Sequence, residues 1–580
     1  MTQFRTHPLF ALGMIWFVAF AAIAINLGPL IGEVGLDALF SPPSPDNGQA
    51  VLIYYSLLPR LAMACVCGFA LGLAGTLLQH VLRNPLASPT TLGVEAGAQL
   101  ALGLAMLWFP ALLGWSRDAT TALGGVAAMS IVFAVAWRFK FQPVVVILAG
   151  LVLGLYCTAI VTLLTLMNDH YLSGLFIWGA GSLNQNDWRQ VAGLAPKVLG
   201  CAVLAVLLAR QLNVLTLGEA GRGLGIRLQT VRAAALLVAV ALTTVTVSAV
   251  GMIGFLGLAA PAVARAAGAR AIKHRLAVSP LVGAALLIII DQLVQIYGAR
   301  TGSNMPTGAV TALIGVPVLL GVMMRRGRAM QGQIADRVTI SASRRARLVI
   351  AALAILVVAI GLIAVFSGRG LDGSWVMQGG AELQPLLVWR LPRLVAALSA
   401  GVMLARAGSL LQRVTGNSLA SPEVLGVSAG TAFGLLCVLF MVSEPTYGHR
   451  LTGGFCGAAA ATAALFVIGR RAQSGSRFLV VGVSLGAFLT ALISVVLASG
   501  DPRAIALISW MAGSTYGVTY PVALLSLLVS VGSLAGVMLL LRPLQQLALG
   551  DQTAHAHGVD VGRFRILILG FAALLTAAAT

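Results

Sequence analysis

Histidine, cysteine and lysine are the residues that decide which catalytic chemistry this chain can support. His555 and His557 are the closest pair among seven histidines, but side chains two positions apart diverge on a helix. We therefore expect both at the surface and predict no metal site. The six cysteines lie in apolar stretches without metal-ligand spacing, and we interpret them as small core residues: Cys65, Cys67, Cys157, Cys201, Cys437 and Cys456.

Nucleotide chemistry would require a phosphate-binding loop of the type G-x-x-x-x-G-K-[ST]. The only lysines are Lys140, Lys197 and Lys273, and none of them follows a glycine. A membrane enzyme would also need His, Asp or Glu converging from facing helices, and we find no such set. The sequence therefore predicts no catalytic residue and no cofactor bound by this chain. Any ATP and Mg²⁺ chemistry must take place in a separate subunit.

The composition is that of a membrane protein. Hydrophobic residues make up 59% of the 580 positions and charged residues only 9%, whereas soluble domains are about a quarter charged. The 37 basic residues exceed the 17 acidic ones, giving a net charge of +20. These charges lie in short loops between long apolar runs, which is typical of cytoplasmic loops and not of a nucleic-acid surface. We predict a multi-pass protein of the bacterial inner membrane that contacts lipid and binds no nucleic acid. The apolar run 9–27 is long and a second span follows it, so it is interpreted as an uncleaved first helix.

The chain contains two copies of one unit. Residues 58–97 align without a gap to residues 391–430, and more than half of the aligned positions are identical. The shared positions include polar signatures such as LASP, which two unrelated apolar helices would not share. A second match joins the WGAGS sequence at Trp178 to WMAGS at Trp510. We interpret the chain as a tandem duplication.

The elements that carry these copies are predicted to be membrane-spanning helices. Residues 1–324 contain about ten apolar segments of spanning length and residues 348–580 about seven, which gives an all-α protein of about 17 spans. The basic linker 325–347 and the other arginine-rich loops fall on one side, which places the N-terminus in the cytoplasm. An even number of spans in the first copy gives both copies the same orientation, as a parallel repeat. From the alignment of the two copies, we expect the second copy to be incomplete by about three spans.

One motif occurs in both copies and identifies a family. Residues 83–93 read RNPLASPTTLG and residues 416–426 read GNSLASPEVLG, each with a proline that stops one helix before the next begins. With the preceding LPR sequences, this pattern resembles the signature of the iron-siderophore and cobalamin ABC importer permeases. Residues 251–265 and 306–317 also resemble motifs of that family, although Ala262 stands where the family pattern has a histidine. A single chain with both halves resembles the double-length ferric hydroxamate (ferrichrome-type) permeases, since most relatives are half-length chains that pair.

The resemblance implies a function. The chain would be the permease subunit of a binding-protein-dependent importer that carries a ferric siderophore, of the ferric hydroxamate type, across the inner membrane. Its partners would be a cytoplasmic ABC ATPase in two copies and a periplasmic substrate-binding protein. The same architecture could carry cobalamin, haem or a catecholate siderophore. An ion-coupled secondary transporter is the alternative from another class, but it would need acidic relays within the spans.

The resemblance also implies ATPase-coupling loops. In the family an inner loop of each half forms short helices that seat in the ATPase. Small residues permit a tight turn there, and a carboxylate can cap the first turn of a short helix. The alternative is an ordinary capped loop on the cytoplasmic side. The matching residues are Leu217, Gly218, Glu219 and Gly225 in the first copy and Leu549, Gly550, Asp551 and Gly558 in the second.

Outer arginines are the candidates for docking the binding protein, because in the family such residues meet acidic side chains on its two lobes. They are Arg60 in the first copy and Arg390 and Arg393 in the second, with Arg300 as a further candidate on the same face. Leu57 takes the position of Arg390 in the first copy, so the two sides are predicted to be unequal. Guanidinium groups suit two-point pairing with carboxylates. The alternative is that these arginines are positioned at the lipid headgroups.

Two charged residues fall inside predicted spans. Asp291 follows an apolar run and precedes Gln292, so a polar stripe there faces something other than lipid. Arg406 replaces Leu73 of the first copy. A charge at this depth costs a few kcal/mol unless it is paired or hydrated. The sequence allows two interpretations of these polar residues. Asp291, Gln292 and Arg406 either line a transport pathway or pair with other residues for structural reasons.

Overall fold

The computed structural model describes most of the chain. It covers residues 8–85, 87–215, 227–302, 305–325, 344–369, 374–380, 383–415, 420–422, 425–469, 475–498, 513–548, 551–558 and 560–580, with the single positions 501, 503, 507, 510 and 511. Over these residues the regular secondary structure is helical except for one two-stranded hairpin. The prediction of an all-α protein is confirmed.

The first copy consists of helices joined by short connections. A π-helical turn, Ile53–Leu57, joins α2 to α3, so that Gly48–Val81 forms one continuous span. Short 3₁₀ turns lie at Leu36–Leu39 and Pro89–Leu92. The helices are α1 (Pro8–Val34), α2 (Gly48–Leu52), α3 (Leu58–Val81), α4 (Val94–Trp108), α5 (Pro110–Arg138), α6 (Pro143–Met167), α7 (Asp169–Gly179), α8 (Arg189–Leu207), α9 (Ala209–Leu215), α10 (Leu228–Val250), α11 (Leu256–Ala266), α12 (Ile272–Thr301) and α13 (Thr307–Arg325).

The second copy follows the same plan. Its hairpin pairs β1 (Ser367–Arg369) with β2 (Trp375–Met377) in antiparallel register, with Gly368 opposite Val376. The helices are α14 (Arg344–Phe366), α15 (Leu383–Thr415), α16 (Val427–Met441), α17 (Tyr447–Gly469), α18 (Gly475–Ala498), α19 (Tyr520–Ala548), α20 (Asp551–Ala556) and α21 (Val561–Ala579).

Membrane crossing is supported by helix length and composition. Among the described residues, 12 helices are long and apolar enough to span a bilayer. Shorter apolar helices accompany them at Val94–Trp108, Leu256–Ala266, Thr307–Gly321, Val427–Met441 and Val481–Leu497. The helix Arg347–Phe366 has no buried residue in its most apolar window, so its surface is suited to lipid on all sides. These features agree with a multi-pass membrane protein.

The chain divides into two compact units. The first is Met1–Gly327 together with Thr490–Ile505, and the second is Arg328–Leu489 together with Ala506–Thr580. The predicted linker 325–347 lies mostly outside the described residues, because positions 326–343 are not described.

Helix α3 is the centre of the first unit, and most of its residues from Met63 onwards are buried. It packs directly on α12 through backbone contacts. A Cβ on Gly68 would stand 2.5 Å from the carbonyl oxygen of Gly283, and one on Gly72 would stand 2.6 Å from that of Ser279. Only glycine permits so close an approach of two helix backbones. The two helices are therefore expected to move as one body.

The duplication is visible in matched packing within each unit. Gly97 of α4 lies against Gly124 of α5, where a Cβ would stand 2.8 Å from the carbonyl oxygen. Gly430 of α16 lies against Gly457 of α17 with the same 2.8 Å separation. The residues just before these helices, Gly93 and Gly426, both have a φ of 75°, a left-handed conformation that favours glycine. The repeated LASP-x-x-LG sequence thus builds the same helix start and the same helix contact twice.

Candidate functional site

The N-terminal end of α3 carries a buried ion pair. The guanidinium of Arg60 donates to both carboxylate oxygens of Asp291 in α12, with Nε at 3.1 and 3.0 Å and a terminal nitrogen at 2.8 Å. The Asp291 side chain is 0% exposed and that of Arg60 is 15% exposed. Two-point bonding of this kind offsets the cost of removing both charges from water.

Further polar groups complete the shell of this ion pair. Gln295 donates to Asp291 Oδ2 at 2.6 Å and Thr307 donates to Oδ1 at 3.0 Å. Arg60 also donates to the Asn184 side chain. Next to the pair, Gln292 accepts from the Nδ2 of Asn26 in α1 at 2.8 Å, and Gln295 accepts from the same amide at 3.0 Å. The network joins α1, α3, α12 and α13, and its geometry favours structural pairing over pathway lining for Asp291 and Gln292.

The second unit has a different arrangement at the matching position. Arg393, which aligns with Arg60, lies over the ring of Tyr516 at 4.2 Å from its centroid. Tyr516 itself aligns with Asn184, since both follow the matched WxAGS sequences by two residues. The repeat therefore preserves the pairing position but replaces an amide acceptor with an aromatic ring, giving a cation–π contact. The Nε of Arg393 has no hydrogen-bond partner among the described residues.

Arg390 contacts the β-hairpin of the second unit. It donates to the carbonyl oxygen of Val365 and to the side chain of Gln378, which follows β2 directly. Arg390 and Arg393 therefore contact different groups and do not share one partner among the described residues. Arg300, at the end of α12, is exposed. The docking role assigned to these arginines and to Arg60 stays a prediction.

Arg406 is bonded inside the second unit. It donates to the carbonyl oxygen of Ser530 and to the hydroxyl of Ser533, both on α19. Ser533 in turn donates to the Ser530 carbonyl at 2.7 Å. A guanidinium held in this way needs no carboxylate to be tolerated within a span, and the contact favours structural pairing for Arg406.

Most of the predicted coupling residues lie outside the described residues, namely Leu217, Gly218, Glu219, Gly225, Leu549 and Gly550. The second-copy site is described in part. Asp551 is the first residue of α20, and Gly558 follows that helix with a φ of 78°. A short helix ended by a left-handed glycine agrees with the predicted tight turn. The coupling role itself stays a prediction.

Two intramembrane charged residues were missed by the sequence reasoning. Glu95 in the first turn of α4 is buried, and its Oε1 has no hydrogen-bond partner in the described part of the chain. Lys197 lies within α8 and lines a cavity of about 410 Å³ together with Asp118 and Arg189. Their positions inside apolar segments were visible in the sequence and could have identified both.

Comparison with known proteins matches this chain to one family. A model of the FecCD transport family matches residues 10–325 and 344–580. The iron(3+)-hydroxamate import system permease protein FhuB of Salmonella typhimurium is 40% identical over 579 residues, which is 99% of this chain and 84% of that protein. FhuB of Escherichia coli is 40% identical over 578 residues, covering 99% and 87%. The Fe(3+) dicitrate transport system permease protein FecC of Escherichia coli is 33% identical over 325 residues, which is 55% of this chain and 96% of that shorter protein.

Proposed function

The chain belongs to the FecCD transport family, and we propose that it is the inner-membrane permease of a ferric hydroxamate importer. The observation that carries this proposal is the similarity to two iron(3+)-hydroxamate permeases along 99% of the chain, through both copies of the repeat. FecC, named for ferric dicitrate, matches only about half of the chain. Of these three relatives, the two named for hydroxamate transport match both copies of the repeat.

We propose that transport energy comes from a separate ATPase, because no lysine of this chain follows a glycine as a phosphate-binding loop requires. Two ATPase copies would dock on the loops around Glu219 and Asp551, one for each half. A periplasmic binding protein would deliver the chelate from outside. Closure of the ATPase pair would then rock the halves through these loops and open the path inward.

The proposed topology has ten spans in residues 1–324 and seven in residues 348–580, in parallel orientation. The number of apolar helices among the described residues supports this topology. Twelve of them are of full spanning length, and the shorter ones lie where the sequence predicts the remaining spans. The N-terminus and the basic linker 325–347 would both be cytoplasmic. The matched glycine packing of Gly97 and Gly430 supports two units of one design.

The two copies differ in the contacts of the arginines that we propose for docking. Arg60 is already bonded to Asp291. Arg393 contacts an aromatic ring, and no carboxylate among the described residues pairs with it. We propose that Arg393 makes the stronger contact with a binding-protein carboxylate, and that Arg60 contributes mainly to the fold. Arg390 and Arg300 would add to the positive charge of the outer face.

Uptake measurements in cells test the substrate class. The gene for this chain would be deleted from its host and restored on a plasmid, and uptake of radioactive iron would be measured with a hydroxamate and with a catecholate chelate, beside labelled cobalamin. We expect only hydroxamate uptake to depend on the plasmid. Restored uptake of cobalamin or of the catecholate chelate alone would contradict the proposal. Loss of uptake on dissipating the proton gradient at constant ATP would favour an ion-coupled transporter.

A further inference from the structure

The cytoplasmic end of α3 is bonded to the short helix that precedes the first predicted coupling loop. Helix α9 ends at Leu215, two positions before Leu217, the first of the predicted coupling residues. The Leu212 carbonyl oxygen lies 2.7 Å from Nε2 of His80, and the Leu215 carbonyl oxygen accepts from the guanidinium of Arg83. The last carbonyls of a helix have no partner within the helix and carry partial negative charge, so donors from α3 and from the residues that follow it suit them.

His80 joins three helices through its two ring nitrogens. A carbonyl oxygen can only accept, so Nε2 must carry the hydrogen that it donates to Leu212. In the neutral ring Nδ1 is then an acceptor, and the guanidinium of Arg275 at the start of α12 donates to it at 3.1 Å. The His80 side chain is largely buried. It therefore connects α9 to both α3 and α12 at a fixed geometry.

The backbone of Arg83 indicates that its side chain has a specific role. Arg83 has a φ of 47°, in the left-handed region that non-glycine residues adopt at a cost. The matching position in the second copy is Gly416, the residue type that adopts this conformation freely. The first copy thus has an arginine where the backbone favours glycine. Its contact with the last carbonyl of α9 accounts for that choice.

The α3–α12 pair is held together along its whole length. Gly68 and Gly72 bring the two backbones into contact in the middle. Arg60 and Asp291 bond the outer ends, and His80 and Arg275 bond the inner ends. A displacement applied to the inner end of this pair would therefore be passed to its outer end with little loss, because close-packed helices are not easily deformed.

We propose that His80 and Arg83 are positioning residues that transmit the movement of the first coupling loop, through α9, to the α3–α12 pair. This inference rests on the proposed function, in which the loop around Glu219 contacts the ATPase. We call the contacts of His80 and Arg83 with α9 the α9 joint. The second copy carries Arg413 at the position of His80 and Gly416 at that of Arg83, so the joint belongs to the first copy. The two ATPase copies would then be coupled unequally to the two halves.

Arg83→Gly is the most informative variant because it relieves the left-handed strain while removing the donor to Leu215. The chain, its ATPase and its binding protein would be reconstituted together, with ATP hydrolysis and ferric hydroxamate uptake measured on the same vesicles. We expect an unchanged melting temperature, ongoing ATP hydrolysis and a fall of about tenfold in chelate moved per ATP, the effect of losing one such hydrogen bond to a charged donor. Arg413→Gln, at the exposed repeat position of His80, is the matched control and should keep the wild-type ratio.

Two substitutions of His80 separate positioning from packing. The amide of His80→Gln can reach the place of Nε2 and donate to Leu212, whereas the shorter His80→Asn retains only the contact towards Arg275. We expect His80→Gln to restore the ratio of transport to hydrolysis and His80→Asn to lower it like Arg83→Gly. Equal behaviour of the two amides, or a wild-type ratio in Arg83→Gly, would overturn the proposal. A fall in ratio that only follows a fall in melting temperature would also overturn it.

A second readout is independent of the cargo. In a cysteine-free background, Leu57→Cys at the outer end of the span would be labelled with and without a non-hydrolysable ATP analogue. We expect the nucleotide to change the labelling rate in the otherwise native chain, and Arg83→Gly to abolish that change. If wild-type vesicles move no hydroxamate but the labelling result holds, the proposed substrate fails and the joint stands. If Arg83→Gly leaves the nucleotide effect intact, the joint fails whatever the substrate.

Discussion

The Arg60–Asp291 ion pair provides a prediction whose size follows from its geometry. We consider Arg60→Met, Asp291→Asn and the double variant, because methionine keeps the stem of the arginine and asparagine keeps the shape of the aspartate. The Asp291 side chain is 0% exposed, so its charge cannot be solvated once Arg60 is removed. Only Gln295 and Thr307 would remain as donors within 3.0 Å.

The expected costs differ between the variants. Removing one partner of a buried ion pair costs about 3–5 kcal/mol, so Arg60→Met should lower the free energy of unfolding by that amount. Asp291→Asn leaves a neutral amide, while Arg60 is 15% exposed and still bonds Asn184, so the cost should be about 1–3 kcal/mol. The double variant leaves no buried unpaired charge. Its cost should therefore fall below the sum of the two single costs by about 1–3 kcal/mol.

Unfolding in mixed micelles of mild detergent and dodecyl sulfate would measure these free energies. Arg300→Met is the control, because Arg300 is exposed at the end of the same helix and its loss should change stability by less than about 0.5 kcal/mol. Additive costs of the two single variants would refute the reasoning, since they would show that the two side chains do not interact. A cost for Arg60→Met no larger than that of the control would refute it as well.

The remaining predictions concern coupling, topology, docking and packing. Glu219→Lys should abolish ATP-dependent uptake while membrane insertion, followed by fractionation, stays normal; full uptake would exclude the coupling role. A cysteine at Ser341 should react with an impermeant reagent only after the cytoplasmic side is opened, and labelling of intact cells would overturn the parallel topology. Arg393→Glu should weaken binding-protein affinity by about tenfold, more at low ionic strength, and an unchanged affinity across a salt series would remove Arg393 from the docking surface. Gly430→Leu should lower the free energy of unfolding by about 1–3 kcal/mol, and with it the melting temperature. Gly401→Leu should leave the melting temperature unchanged, because no atom lies within 4 Å of the added Cβ. Equal melting temperatures of the two variants would contradict the packing.

The duplicated architecture could be predicted from the sequence because its signals are local. Apolar run length identifies spanning helices, and the LASP-x-x-LG sequence marks the same helix start twice. Gly93 and Gly426 show the physical reason for that repeat, since both have left-handed backbones that favour glycine. A sequence signal of this kind needs no knowledge of distant contacts.

The polar contacts could not be predicted because their partners are far apart in the chain. Arg60 and Asp291 are separated by 231 residues, and no periodicity relates an arginine in α3 to an aspartate in α12. Arg60 was therefore predicted to face a partner protein, and the sequence left Asp291 open between pathway lining and structural pairing. Arg390 was likewise assigned to docking, which stays a prediction, and its contact with Gln378 of the hairpin segment was not foreseen. Composition shows that intramembrane charges need partners, but only the fold shows which.

Transport by purified components tests the central claim most directly. The chain would be reconstituted in vesicles with its ATPase, and the binding protein loaded with radioactive ferric hydroxamate would be added on the opposite side. We predict accumulation that requires ATP, the ATPase and the binding protein together, and that stops when any one is omitted. Accumulation driven by an imposed ion gradient without ATP, or unchanged without the ATPase, would contradict the account of this chain as the permease of an ATP-driven importer.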